Sequence, residues 1–475
     1  MRGCVSRHLS PTRFSSESAQ TIMLSFSRLF LAFAICALPA IGQTAAKLQQ
    51  ELRSKETAAK KDADKLFEVA KWAAEKALAN DAKRIFQVIL KVKPDHPGAN
   101  EALGNDLVEG KWLPKKEAEL LRKKAQAAEY AAKGFVDVGG IWVEKDKVDD
   151  AKRGVFHHEG EVVNKLEKTA FLAGLVRHPE TGEIIDAKHL EKAKSGYYPV
   201  GGEGRWVDKK EADTYHSDVK RPWLVRTTWG TIMSTLGLAK IQELAAQVDL
   251  GILRVLPILG ADSLHPDRRP VILIAATRTE YTDYGQAMSD GTDACGAFVV
   301  PEEGALELPY LGSVRMAICD NDKDMGTRYI RHAAALAAAN AFATGAGVDL
   351  PPWLEHAFGS YTSRFQDDSD AGWFGKQHVQ RGGVGNVKAF FPSFAISGDM
   401  EPKDISNNLY QAGLLLSFAV SGQDEKCNEA LKAISAVLGG GKGNADKAIT
   451  KLQAALIDAQ PKIVTHLQQL ISKSP

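Results

Sequence analysis

Short apolar runs suited to strands, followed by long helical ones, constrain this chain most. WLVRTTWGTI and PVILIAATRTEY, between Trp223 and Tyr281, are short and rich in β-branched and aromatic residues, and they read as strands. TIMSTLGLAKIQELAAQVDLGILRVL lies between them with the three-and-four apolar spacing of a helix. FVVPEEG and SVRMAICDND add short strands before the Ala-rich helical stretch RYIRHAAALAAANAFATGAG. Beyond a loop at 362–403, three amphipathic helices are expected: ISNNLYQAGLLLSFAVSG, DEKCNEALKAISAVLGG and the segment from Ala445 to the end. This order predicts an α+β domain over 219–475 with a C-terminal helical tail.

The upstream half reads differently. Residues 43–130 are expected to be helical, because AAKKDADKLFEVAKWAAEKALANDAKRIFQVILKV spaces its apolar residues at three and four. Together with the Pro-bounded turn that follows, this stretch resembles a tetratricopeptide-type helical hairpin, too short to make a solenoid. The lysines of KKEAELLRKKAQAAEYAAK alternate with Glu and Ala, as on a solvated helix face. Residues 131–218 read as small α+β modules in which a Trp follows a Gly turn, as in GGIWVEKDKVDDA and GEGRWVDKKEAD, with an outlying GKW at 110. Such a Trp is expected to anchor a local core. His157, His158 and Glu159 are adjacent, so their side chains diverge, and they are expected in a solvated loop.

The chain has 475 residues, and 60 Lys plus Arg against 59 Asp plus Glu leave no global field to draw it to nucleic acid. Residues 1–42 read as an upstream extension plus a signal peptide at about 23–42. Arg28 supplies its positive region, Leu29 to Ala40 the apolar core, and Ala40-Ile41-Gly42 the cleavage site before Gln43. The expectation is an exported protein, periplasmic or extracellular, with no membrane span in the mature chain and a net charge of −2. Cys295, Cys319 and Cys427 lack metal-ligand spacing. A Cys295–Cys319 disulfide and three buried thiols both remain open.

RYIRHAAALAAANAFATGAGVDLPPWLEHAFGSY, from Arg328 to Tyr361, resembles the catalytic helix and following segment of gluzincin metallopeptidases. Bacterial secreted members of that kind carry HExxH and then PPWLxEGLAEY, and the likeness extends over about 219–475. In the family, two His one turn apart and a downstream Glu bind zinc, while the helix Glu activates water. Here His332 matches the first His, Ala333 stands in place of the base, Leu336 in place of the second His, and His356 in place of the ligand Glu. Ser360 replaces a second acid and Tyr361 is retained. Zinc hydrolysis needs three protein ligands and a base beside the bound water. The resemblance therefore implies a zincin-like scaffold with degenerate chemistry: a pseudo-peptidase without a cofactor that holds a peptide or protein partner in the old cleft. Trp353, Trp373 and Phe374 are the candidates for lining it.

One alternative is a divergent zinc hydrolase using His332, His356 and an acid or imidazole from Glu355, Asp367, Asp370 or His378. A structural cell-envelope protein with a closed cleft is another. GGGKGN at 439–444 lacks the phosphate-loop spacing, RGGVGNV at 381–387 reads as a loop, and no G-x-S-x-G elbow occurs.

Overall fold

The computed structural model describes residues 41–201, 204–261, 264–288, 297–300, 302, 305–321, 327–365, 367–396 and 400–474. The leader reading thus lies outside the described residues except for Ile41 and Gly42, and Cys295 lies outside them too. The chain divides into two compact units, 1–132 and 133–475.

The first unit starts with helices α1 (Ile41–Ala59), α2 (Ala63–Glu75), α3 (Ala79–Val92) and α4 (Pro97–Ala102). Asp62 caps α2 by accepting the amides of Asp64 and Lys65. Leu66, Val69, Ala70 and Ala73 of α2 pack on Ala82, Ile85, Phe86 and Ile89 of α3. A hairpin of β1 (Asn105–Val108) and β2 (Lys111–Pro114) and then α5 (Lys115–Ala132) follow, where helix alone was expected. The tight Glu109-Gly110 turn joins two four-residue strands that periodicity cannot register.

That hairpin-then-helix unit recurs four times in the second unit. The strand pairs are β3 (Phe135–Val138) with β4 (Ile141–Glu144), β5 (Phe156–His158) with β6 (Glu161–Val163), β7 (Leu175–Arg177) with β8 (Ile184–Asp186), and β9 (Tyr197–Val200) with β10 (Arg205–Asp208). Each pair is followed by a short helix: α6 (Val148–Lys152), α7 (Lys165–Leu172), α8 (Leu190–Lys194) and α9 (Lys209–His216). Gly134, Gly154, Gly174 and Gly196 precede the hairpins at positive φ, a conformation that carries no Cβ penalty only in glycine. Val143, Val163, Ile185 and Val207 bury the second strands, and Ala151, Ala170, Ala193 and Ala212 bury the helices. The buried anchor is therefore the residue after the Trp, while Trp142 and Trp206 are half-buried. His157 and His158 lie on strand β5 rather than in a solvated loop. His157 pairs with Asp150 at 3.0 Å and His158 stacks on Phe171.

The rest of this unit is built on a five-stranded sheet. β11 (Trp223–Arg226) pairs antiparallel with β12 (Thr231–Ser234), and α10 (Leu238–Val255) follows. β13 (Val271–Ala275) lies parallel to β12 and precedes α11 (Arg278–Met288), so Arg278–Tyr281 opens a helix instead of ending a strand. Then come β14 (Ala297–Val299), a hairpin of β15 (Leu306–Leu308) with β16 (Gly312–Val314), and β17 (Ala317–Asp320). The sheet order is β11-β12-β13-β17-β14, with β13 and β17 parallel and β14 antiparallel at the edge. Alternate β13 residues serve two cores. Ile272 and Ile274 face the helical side, while Val271, Leu273 and Ala275 join Phe298, Ile318 and Tyr281 on the other.

Helix α12 (Arg328–Ala346) runs through the larger core with residues buried on every side, as suits a central helix. α13 (Pro352–Arg364) folds back on it, started by Pro352 in its first turn. The stretch 362–403, expected as a loop, holds α14 (Asp368–Gln380) and α15 (Val387–Ser393), capped by Asp367 and Asn386. The tail has four helices where three were expected: α16 (Pro402–Val420), α17 (Glu425–Leu438), α18 (Ala445–Asp458) and α19 (Gln460–Ser472). Ala459 separates the last two, ahead of Pro461 in the first turn of α19. The architecture is thus mixed α+β with a helical C-terminal region. No helix among the described residues is long and apolar enough to cross a membrane.

Candidate functional site

His332 sits in the second turn of α12 and His356 in the second turn of α13, and the packing of those helices brings the two rings together. His332 Nε2 and His356 Nδ1 are 3.2 Å apart. Arg364 Nη1 donates towards His332 Nδ1 at 3.4 Å, so the network assigns the His332 proton to Nε2, aimed at His356. Gly359 makes room for the pair, since a Cβ there would stand 2.4 Å from His332 Cδ2. Burial, then the His356 and Arg364 charges, holds His332 well below the ordinary imidazole range. Burial and Arg364 lower His356 to about 4. Both rings are therefore neutral at pH 7.

The other degenerate positions are core. Ala333 and Leu336 are fully buried on α12. Ser360 is fully buried with no partner for its hydroxyl among the described residues, pressed against the place where Gly413 of α16 lacks a Cβ. An acid in that position would have to be buried against α16. Tyr361 lies under the Arg254 guanidinium, 5.1 Å away. Ser363, which the sequence reasoning missed, lies 3.3 Å from His332 Nδ1 and completes a Ser–His–His line. Its hydroxyl donates to the Gly359 carbonyl (2.8 Å), and neither Ser363 nor His332 exceeds 1 % exposure, while His356 is half-buried.

The remaining ligand candidates are each held elsewhere. Asp367 caps α14 and Asp370 pairs with Arg328 at 2.9 Å. His378 bonds Asn407 (2.6 Å) and Gln411 (2.8 Å) of α16. Glu355 takes a hydrogen bond from Asn340 at 3.4 Å, two turns along α12 from His332. No group of three or more His, Cys, Asp or Glu among the described residues is arranged to hold a metal ion. Cys319 and Cys427 are buried free thiols.

Nor do the aromatic candidates line a cleft together. Trp353 is buried against Phe391 with its indole N–H unpartnered among the described residues. Phe374 is buried between the Arg328 and Arg364 guanidiniums, while Trp373 lies exposed beside it. The open space near α12 lies further along the helix. A cavity of about 620 Å³ is walled by Ala337, Asn340, Ala341 and Thr344 on one face of α12, by Glu355, and by Arg268, Arg269 and Arg315. Burial raises the Glu355 carboxyl above its ordinary range, against the opposing pull of Arg315 and Asn340. This volume lies within the range of small-ligand pockets, roughly 300–1,000 Å³. Arg268, Arg269 and Arg315 come from loops before β13 and β17, and only their spatial convergence marks them.

No family model matches the chain, and it has no match among characterised proteins or solved structures.

Proposed function

We propose that this is an exported, non-catalytic member of the gluzincin-like proteins that holds a peptide or protein partner in a cleft beside α12. The observation that carries the reading is the His332–His356 hydrogen bond: two neutral imidazoles turned on each other, with Ala333 and Leu336 buried where a base and a second ligand would stand. A general base contributes roughly 10²–10⁴ in rate, and Ala333 can accept no proton. The PPWL start of α13, the edge strand β14 and the Ala-rich central helix support the scaffold part of the reading. The 620 Å³ cavity supports a binding role over a closed structural one. The α2–α3 pair fits an accessory helical hairpin.

The competing zinc hydrolase needs a third ligand and a base, and Glu355, Asp367, Asp370 and His378 are each engaged elsewhere. Metal analysis of the chain from Gln43, purified from zinc-supplemented medium, separates the two readings. Less than a tenth of an equivalent of zinc, unchanged in His332→Ala and His356→Ala, is expected, on the order of background. Stoichiometric zinc that both substitutions abolish overturns the proposal.

A further inference from the structure

The 620 Å³ cavity gathers three guanidinium groups that have no ion pair among the described residues. Arg177, Arg226, Arg278 and Arg328 each have a carboxylate within 4 Å, whereas Arg268, Arg269 and Arg315 have only backbone carbonyls. Arg268 donates to the carbonyls of Leu438 (3.1 Å) and Gly345 (3.2 Å), and Arg269 to those of Thr227 and Gly230 (both 3.0 Å). Arg315 donates through Nε to the Val300 carbonyl at 2.9 Å, and its two terminal nitrogens have no acceptor among the described residues. These bonds hold Arg268 and Arg269 in place on the lining, and Arg315 keeps the most donors uncommitted.

The rest of the lining has complementary chemistry. Glu355 and Asn340 present acceptor oxygens, and Ala337 and Ala341 put only methyl groups between them and a ligand. The other acids of the lining, Asp267, Glu302 and Asp349, are exposed. Donors and acceptors in one lining match a short peptide end, with a carboxylate at the arginines and backbone N–H groups towards Glu355. Arginine forks bind carboxylates in two parallel bonds, and hydrogen bonds to charged groups contribute about 1.5–3 kcal/mol each.

We infer that the occupant of this cavity is a peptide that presents a free carboxylate to Arg315 and its neighbours Arg268 and Arg269. This inference rests on the peptide-binding reading proposed above. Arg268 and Arg269 also border a second cavity of about 1250 Å³, so Arg315 is the residue that isolates the site.

The test is equilibrium dialysis of the chain from Gln43 against acetylated random pentapeptides. One pool has free C-terminal acids, one is amidated, and one is amidated with a central Glu. Retention of the free-acid pool about tenfold or more above the plain amides is expected. Arg315→Gln should abolish that preference and Arg315→Lys restore part of it, with the thermal melts of all three proteins alike. If the Glu pool is retained as well as the free acids, the carboxylate comes from a side chain; if only the free acids are retained, it is the terminus. Equal retention of acids and amides overturns the inference and leaves peptide binding intact. Retention of no pool overturns both.

Discussion

The two halves of α12 contrast within one helix. In the N-terminal half, His332, Ala333 and Leu336 are sealed at 1 % exposure or less, and the His332 ring is turned on His356. In the C-terminal half, Ala337, Asn340, Ala341 and Thr344 wall a cavity that also contains a carboxylate and three unpaired arginines. The half that carries the recognisable sequence pattern is packing, and the half with no pattern is where a ligand has room. A catalytic motif marks a location only while its residues still line a space. With Ala333 and Leu336 at full burial, this half of the helix is closed by packing.

The largest effect should come from forcing the motif back. Ala333→Glu would put an unpaired carboxylate in a position with no exposure, and an uncompensated buried charge costs about 3–5 kcal/mol. Urea unfolding at pH 7 should show at least the lower end of that loss, with recovery at pH 4 as the carboxyl is protonated. A loss under 1 kcal/mol, on the order of a surface change, would mean the first half of α12 is open and the contrast is false.

Next is Gly359→Ala, whose Cβ meets the His332 ring at 2.4 Å. Overpacking of this sort costs about 1–3 kcal/mol, and an added Cβ this close to a buried ring points to the upper end. Paired with His332→Ala, the two losses should be clearly less than additive in a double-mutant cycle. Additive losses would show that His332 is not seated on Gly359.

How much of this was legible depends on what kind of signal each element leaves. Between Trp223 and Gly347, α10, β13 and α12 were readable because they are long or continuous apolar runs, while α11 was read as the end of a strand and the β15–β16 hairpin was not expected. The repeated hairpin units were half visible. Those at Trp142 and Trp206 show a Trp after a Gly turn, but Val162 and Ile184 take that place in the units between them. The signal common to all four is a positive-φ Gly, a buried Val or Ile and a buried Ala, none of which stands out in sequence. Helix α14 was hidden by Gly372 and Gly375, which lower helix propensity, though both abut neighbouring helices closely, as packing glycines do. At the site, His332 and His356 were singled out by a resemblance to a motif, and the packing of α12 on α13 is what brings them together. The arginines before β13 and β17 could not be found in this way, because convergence in space leaves no spacing in sequence.

The histidine pair has a pH signature. Both imidazoles are depressed in the folded chain, so the unfolded chain binds more protons below about pH 6.5, and stability falls as pH drops through that value. With His356 lowered to about 4, its share of the loss between pH 6.5 and 5 is about 2 kcal/mol. His178, His216, His378 and His466 are also lowered by burial, so the check is a difference between wild type and His356→Gln. The variant should have the shallower acid slope. Equal slopes would mean that the pair is already charged or open to water.

The smallest effect is expected in the open half of α12, and it has the opposite sign. Burial raises the Glu355 carboxyl, so here the folded chain binds more protons than the unfolded one, and stability falls as pH rises through the carboxyl range. Glu355→Gln removes that cost while keeping an oxygen for the Asn340 amide. The variant should be more stable than wild type at pH 7, by less than about 1 kcal/mol, and the gain should vanish near pH 4. Calorimetry at the two pH values reads both parts. A gain at neutral pH means that Glu355 stays where it strains the fold, and strain of this kind collects where a protein binds something. A loss at pH 7 would instead make Glu355 a structural partner of Arg315. The open half of α12 would then be as self-satisfied as the closed one.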